Sequence, residues 1–171
     1  FEYAYNLLSQ KDIAAAVIVD SLTEKDIQSL LTLDKEVGII VLKGRIVLFT
    51  SSGRNQIRTL KAVQDLIAQA DFILHTQTPA GGGRQDGPSP DDIRLASGQM
   101  EYVATTQGVF AYNYQGVQSS SRDYNALLQA MSAAQKKFKN IPANEAAARS
   151  ALNRFVTAMD QFANLPENQK T

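Results

Sequence analysis

His75 is the single histidine of the chain, and it stands near the end of the apolar run "DFILHTQTP", residues 71–79. Imidazole carries a proton near neutral pH and is also a preferred ligand of transition metals, so its position raises two chemistries at once. Metal-assisted hydrolysis needs nitrogen and oxygen ligands on rigid elements, an open position for water and a nearby carboxylate to take that water's proton. His75, Asp92 in "PSPDDIRLA" and Glu36 in "DKEVGII" are groups of those types. Alternate residues of a strand point the same way. A second histidine at position 77 would therefore complete half of a metal site, and Gln77 stands there instead. Its amide is a weak, neutral oxygen donor that first-row transition metals rarely take over imidazole.

The same residues have plainer roles open to them. A lone histidine at a strand end is usually a half-buried, hydrogen-bonded side chain. Asp92, like Asp91, suits a helix N-terminus through the macrodipole, and Glu36 beside Lys35 suits an exposed surface. Ser89, His75 and Asp92 make a nucleophilic triad on paper, but no nucleophile elbow surrounds Ser89. The stretch "GGGRQDG" lacks the Gly-Lys-Ser/Thr ending and strand-loop-helix register of a phosphate-binding loop. It reads as a flexible surface loop.

The elements that must position these groups follow from periodicity. Alanines between Asp12 and Leu22 favour a helix there, followed by a second short element over "TEKDIQSLL". The run "EVGIIVLKGRIVLFT" is two β-branched segments joined at Lys43-Gly44, the composition of a tight hairpin. Ile57, Leu60, Val63, Leu66 and Ile67 recur at spacings of three and four, which predicts an amphipathic helix over 57–70 laid on a sheet. "DFILHT" is then a buried strand. Glycine and proline keep "PAGGGRQDGPSP" irregular until Ser89 and Pro90, a good N-cap and first helical residue, open a short helix over "PDDIRLASG" closed by Gly98. "EYVATT" and "VFAYNY" around Gln107-Gly108 form another hairpin. After Ser119 the pattern becomes helical: Tyr124, Leu127, Leu128, Met131 and Phe138 form one stripe, and Ala148, Leu152, Phe155, Met159 and Phe162 a second, broken by "NIPAN". The expected organisation is an α/β domain of mixed sheet over residues 1–118, with an αα-hairpin appended over 119–171.

Bulk properties exclude several classes. With 171 residues, 44% of them hydrophobic, the chain can bury a core without disulfide or metal staples. Seventeen basic and seventeen acidic residues cancel, so the field that draws a protein to nucleic acid is absent. No cysteine is present, which removes disulfides, thiolate zinc sites and a cysteine nucleophile and fits either redox compartment. No apolar stretch reaches the ~20 residues of a membrane span. The start at Phe1, with no signal-peptide layout, points to a processed product or a piece of a longer protein.

The order of these residues, and the elements that carry them, resemble the JAMM (MPN) metalloprotease family. Its pattern is an upstream glutamate, then His-x-His-Pro, then Ser-x-x-Asp. The matches are Glu36 in "KEVGII", "HTQ" at 75–77, and "SPDD" from Ser89 to Asp92. The flanks "ADFILHT", "PSPDDIRLA" and "EYVATTQGVFAY" are similar to bacterial members, so that the resemblance covers residues 12–114. It implies a JAMM-like (cytidine-deaminase-like) mixed sheet flanked by helices, with His75 and Asp92 as zinc ligands, Glu36 as general base and Ser89 as oxyanion partner, acting on isopeptide or peptide bonds. The chain departs from the pattern at Gln77, at Thr78 intervening before Pro79, and in a longer loop from Gln77 to Ser89. Two strong ligands hold zinc poorly. The expectation is a catalytically inactive JAMM-like domain in which these groups are vestigial. It would hold no cofactor and serve as a structural or protein-binding module, with a protein partner or the neighbouring domains of a longer chain. The alternative is a zinc-dependent isopeptidase or peptidase with an altered ligand set.

Overall fold

Branched apolar residues fill "GIIVL" and "RIVLFT", and the chain reverses between them at Lys43 and Gly44. Both turn residues take positive φ, 52° and 81°, the type I′ geometry whose twist matches the flanking strands. The computed structural model describes residues 1–10, 15–50, 67–96 and 98–137, with isolated positions between 146 and 157. Among these the elements run α1 Glu2–Leu8, β1 Ala15–Val19, α2 Glu24–Leu30, β2 Gly38–Leu42, β3 Arg45–Thr50, β4 Phe72–Thr76, α3 Pro90–Arg94, β5 Glu101–Thr105, β6 Gly108–Asn113, β7 Gly116–Ser121 and α4 Asn125–Lys136. The protein is a mixed α/β fold on one seven-stranded sheet, ordered β1-β3-β2-β4-β5-β6-β7. Both expected hairpins are present, β2–β3 and β5–β6.

Every neighbouring pair is antiparallel except β4 and β5, which run parallel. A parallel pair cannot be closed by a tight turn, so the chain between them, residues 77–100, must cross over. That crossover is the glycine-rich loop and α3, and it returns the chain beside the end of β4. Alternation along the strands sends Ile39, Val41, Ile46, Leu48, Phe72 and Leu74 to one face. There they join Leu8 of α1, Ile27 and Leu30 of α2, and Leu127 and Met131 of α4 in one core. Strands β2 and β4 are buried along their whole length, so the opposite face, which carries Ile40, Ile73 and His75, is shielded too.

Three expectations need correction or extension. Residues 15–19 form β1, not a helix: Val17, Ile18 and Val19 are β-branched, and a full ladder to β3 offsets the helical preference of the alanines. Helix α3 stops at Arg94 with Leu95 as its C-cap, short of Gly98. Strand β7 was not expected, because "GVQSSS" has neither the composition nor the alternation of a half-buried strand. It forms by pairing with β6 through a bulge at Ala111/Tyr112, and it carries the sheet past residue 118 to Ser121. Most of the expected 57–70 helix lies outside the described residues, as do Phe138 and most of the stripe from Ala148 to Phe162. Of the first C-terminal stripe, Tyr124, Leu127 and Met131 are buried on the sheet's core. No helix among the described residues is long and apolar enough to cross a membrane.

Candidate functional site

One row of paired residues crosses the sheet under the site: Phe49, Gly38, His75, Val103 and Phe110. The absence of a side chain at Gly38 is required here, because a Cβ would overlap the ring of Phe49. The end of β4 is fastened on both sides. Thr76 donates its N–H to Val37 O at 3.0 Å, and its hydroxyl accepts the Val37 N–H at 2.9 Å. Gln77 donates its N–H to Ala104 O at 3.0 Å, which prolongs the ladder toward β5. His75 therefore projects from a rigid strand end, with its ring edge-on to Tyr112 at 6.2 Å and 88°.

Asp92 arrives from α3 in a capping box. The Ser89 hydroxyl accepts the Asp92 N–H at 3.1 Å, and Asp92 Oδ2 accepts the Ser89 N–H at 2.8 Å. The same Oδ2 lies 3.2 Å from His75 Nε2, with the two side chains only 6% and 14% exposed. Burial pushes the Asp92 carboxyl up. The His75 charge, the His75 hydrogen bond and the two bonds to Ser89 act against it and together hold the group well below the usual carboxylate range. An ionised carboxylate only accepts, so the His75 nitrogen that faces it carries the hydrogen. That nitrogen donates to Asp92, and a metal at this position would have to displace its proton.

Gln77 is also buried, 3% exposed, and its amide turns to the loop. Nε2 donates to Arg84 O at 3.1 Å and to Gly87 O at 2.6 Å, which uses both of its hydrogens. Gln85 completes the clamp from the other side. Its Nε2 donates to Gln77 O and Gly83 O, and its Oε1 accepts from the Thr106 N–H and hydroxyl. The loop approaches so closely that a Cβ at Gly81 would stand 2.7 Å from Thr78 Oγ1 and 2.9 Å from Asp34 O. The expected flexible loop is thus a hydrogen-bonded cover on the end of β4.

Of the candidate residues, His75, Asp92 and Ser89 are joined by direct bonds, and Gln77 lies on the same strand end. Glu36 is half-buried just before β2, and continuing the register of Gly38 with His75 brings it level with Gln77. The bonds run from Ser89 to Asp92 to His75. A nucleophilic triad needs the histidine between serine and acid, so the triad is not assembled. Asp92 Oδ2 and His75 Nε2 are bonded to each other, and the Gln77 amide nitrogen is bonded to loop carbonyls. No group of three or more His, Cys, Asp or Glu able to hold a metal occurs among the described residues.

Two residues of this region escaped the sequence reading. Glu101 is fully buried and accepts the Tyr112 hydroxyl at 3.3 Å, on the same face as His75. The turn expected around Gln107-Gly108 lies one residue earlier, at Thr106-Gln107, and this register pairs Glu101 with Tyr112. An acid at a buried strand position was the available signal. A cleft of about 760 Å³ opens elsewhere, lined by Gln28, Thr32, Thr106, Gln107, Arg122 and Tyr124 among others, and none of the candidate residues lines it. Comparison with protein-family profiles, with curated proteins and with solved structures finds no match to this chain.

Proposed function

We propose that the chain is a catalytically inactive JAMM-like domain that serves as a structural or protein-binding module of a larger protein. The observation that carries this reading is the use made of position 77. Where the motif asks for a second imidazole, a buried amide spends both hydrogens on loop carbonyls. The loop is thereby sealed over the end of β4, at the carboxyl end of the parallel pair, where open α/β sheets usually keep a ligand crevice. His75 and Asp92 are locked to each other beneath it. Such a site is stabilised as structure rather than held open for water and substrate, and a sealed surface of this kind is suited to contact with other protein.

The test is elemental analysis with a competitive chelator titration on the wild type and on Gln77→His. The wild type is expected to purify without stoichiometric zinc. Gln77→His is expected to gain zinc affinity and to lose about 1–3 kcal/mol of stability as the loop carbonyls lose their donors. Full zinc occupancy in the wild type would overturn the inactive reading. The second reading, a zinc-dependent isopeptidase or peptidase with an altered ligand set, is favoured by one observation, the placement of His75 and Asp92 side chains within 3.2 Å of each other. It predicts that same full occupancy.

A further inference from the structure

In the cleft beside the β5–β6 turn, some polar side chains are committed and others are not. Thr32 donates its hydroxyl to Ser29 O at 2.7 Å, Thr105 to Gln85 O at 2.8 Å and Thr106 to Gln85 Oε1 at 2.9 Å. These bonds fix the walls. Gln28, Gln107, Arg122 and Tyr124 line the same cleft, and none of their side chains makes a hydrogen bond or ion pair among the described residues. Asp123, next to Arg122, instead accepts the Asn125 N–H at 3.0 Å. Tyr124 is the informative member. It is 4% exposed and its ring packs in the core. A buried tyrosine hydroxyl usually finds a partner, and phenylalanine would fill the same core volume. This hydroxyl has no partner among the described residues, yet it is not sealed from solvent, so it opens where the side chain lines the cleft. Burial and the charge of Glu24 both push it up, so it keeps its proton and can donate.

We propose that this cleft binds a carboxylate carried on an amide chain, the chemistry of an acidic side chain or of the C-terminus of a peptide. The proposal deepens the protein-binding reading and rests on it. The cleft volume of about 760 Å³ falls within the ~300–1,000 Å³ of ligand clefts. Arg122 is the single charged side chain of the lining, which suits one carboxylate and not a polyanion. It stands on the hairpin wall, with its Cα 3.4 Å from where a Cβ on Gly108 would lie. Glu24 stands one helical turn before Gln28 on α2. The carboxylate is therefore drawn to the hairpin wall, and neutral amide groups fall to Gln28 and Tyr124 on the other side. A glutamine amide offers the same donor and acceptor as a peptide unit, so Gln28 and Gln107 match such a chain.

The test titrates three probes into the full chain while amide chemical shifts are followed: acetyl-Gly-Gly with a free C-terminus, the same dipeptide amidated, and acetyl-Gly-Glu-Gly amide. Saturable shifts over 105–108 and 122–124 are expected with at least one carboxylate probe, bound about tenfold tighter than the amidated dipeptide. The tighter carboxylate probe identifies the source. Arg122→Gln is expected to abolish the tenfold preference, and because Arg122 is exposed, unchanged melting separates lost binding from lost fold. Tyr124→Phe keeps the buried ring and is expected to weaken binding about threefold without lowering the melting temperature. Zinc content of Gln77→His reads only the end of β4, so failure of this proposal is distinguishable from failure of the inactive reading. Absence of saturable shifts up to about 10 mM probe overturns the proposal, as would equal binding of carboxylate and amide probes or indifference to either substitution.

Discussion

Asp92 caps α3, accepts the N–H of Ser89 and faces His75 with the same oxygen, so one carboxylate joins the crossover helix to the end of β4. Hydrogen bonds to a charged group contribute about 1.5–3 kcal/mol, and Asp92→Asn is expected to lower stability by about 2 kcal/mol at neutral pH. The pH dependence follows from the depressed carboxyl. Its stabilisation is complete above the ordinary value of 3.8 and is lost as pH falls below it toward the native-state value. The gap between wild type and Asp92→Asn should therefore be full at pH 7 and narrow below about pH 4. Urea unfolding across that range measures it, and a gap unchanged at low pH would deny the carboxylate its role. His75, Ser89 and Asp92 could be found from residue type and spacing, because a capping box is local. The partners of Gln77 could not, since Arg84 O and Gly87 O reach it only once the loop has folded back.

At the scale of elements, the glycine loop shows how a segment without regular structure is held. Gln85 bridges Gln77 and Gly83 on one side and Thr106 on the other, and Thr105 donates its hydroxyl to Gln85 O at 2.8 Å. Gln85→Ala is expected to raise amide exchange over residues 81–87 by tenfold or more, with a smaller effect on strands β2 and β4, because local opening needs less than global unfolding. Exchange read by mass spectrometry tests this, and uniform acceleration across the sheet would mean that the clamp supports the whole fold instead. The hairpins and α3 were readable from sequence because turn residues and caps act within a few positions. Strands β1 and β7 were not, for they are edge strands whose ladders come from β3 and β6, far from them or unlike them in composition.

For the whole molecule, α4 matters more than an appendage would. Tyr124, Leu127, Met131 and Ala134 are all buried in the same core as β2 and β4, next to α1 and α2. Leu127, 1% exposed, is expected to cost about 2–5 kcal/mol when replaced by alanine, through lost transfer energy and the cavity left behind. Denaturant midpoints measure this. A loss below about 0.5 kcal/mol, the size of a typical surface substitution, would show α4 to be dispensable to the sheet.

The sequence by itself determined the class of the fold, the two hairpins, the buried strand that carries His75 and the cap that carries Asp92. Each of these is written in periodicity or in turn and capping chemistry that acts over a few residues. Only the tertiary structure decided that residues 15–19 would be a strand, that "GVQSSS" would be the last strand of the sheet, and that Asp92 would stand between Ser89 and His75. It also decided the fate of Gln77. Its spacing from His75 raises that position as a candidate for a second ligand, but hydrogen bonds to carbonyls seven and ten residues away make it the anchor of the loop. The physical reason is common to all of them. These outcomes depend on pairing and burial between segments distant along the chain, and their energies exceed the local preferences that a sequence displays.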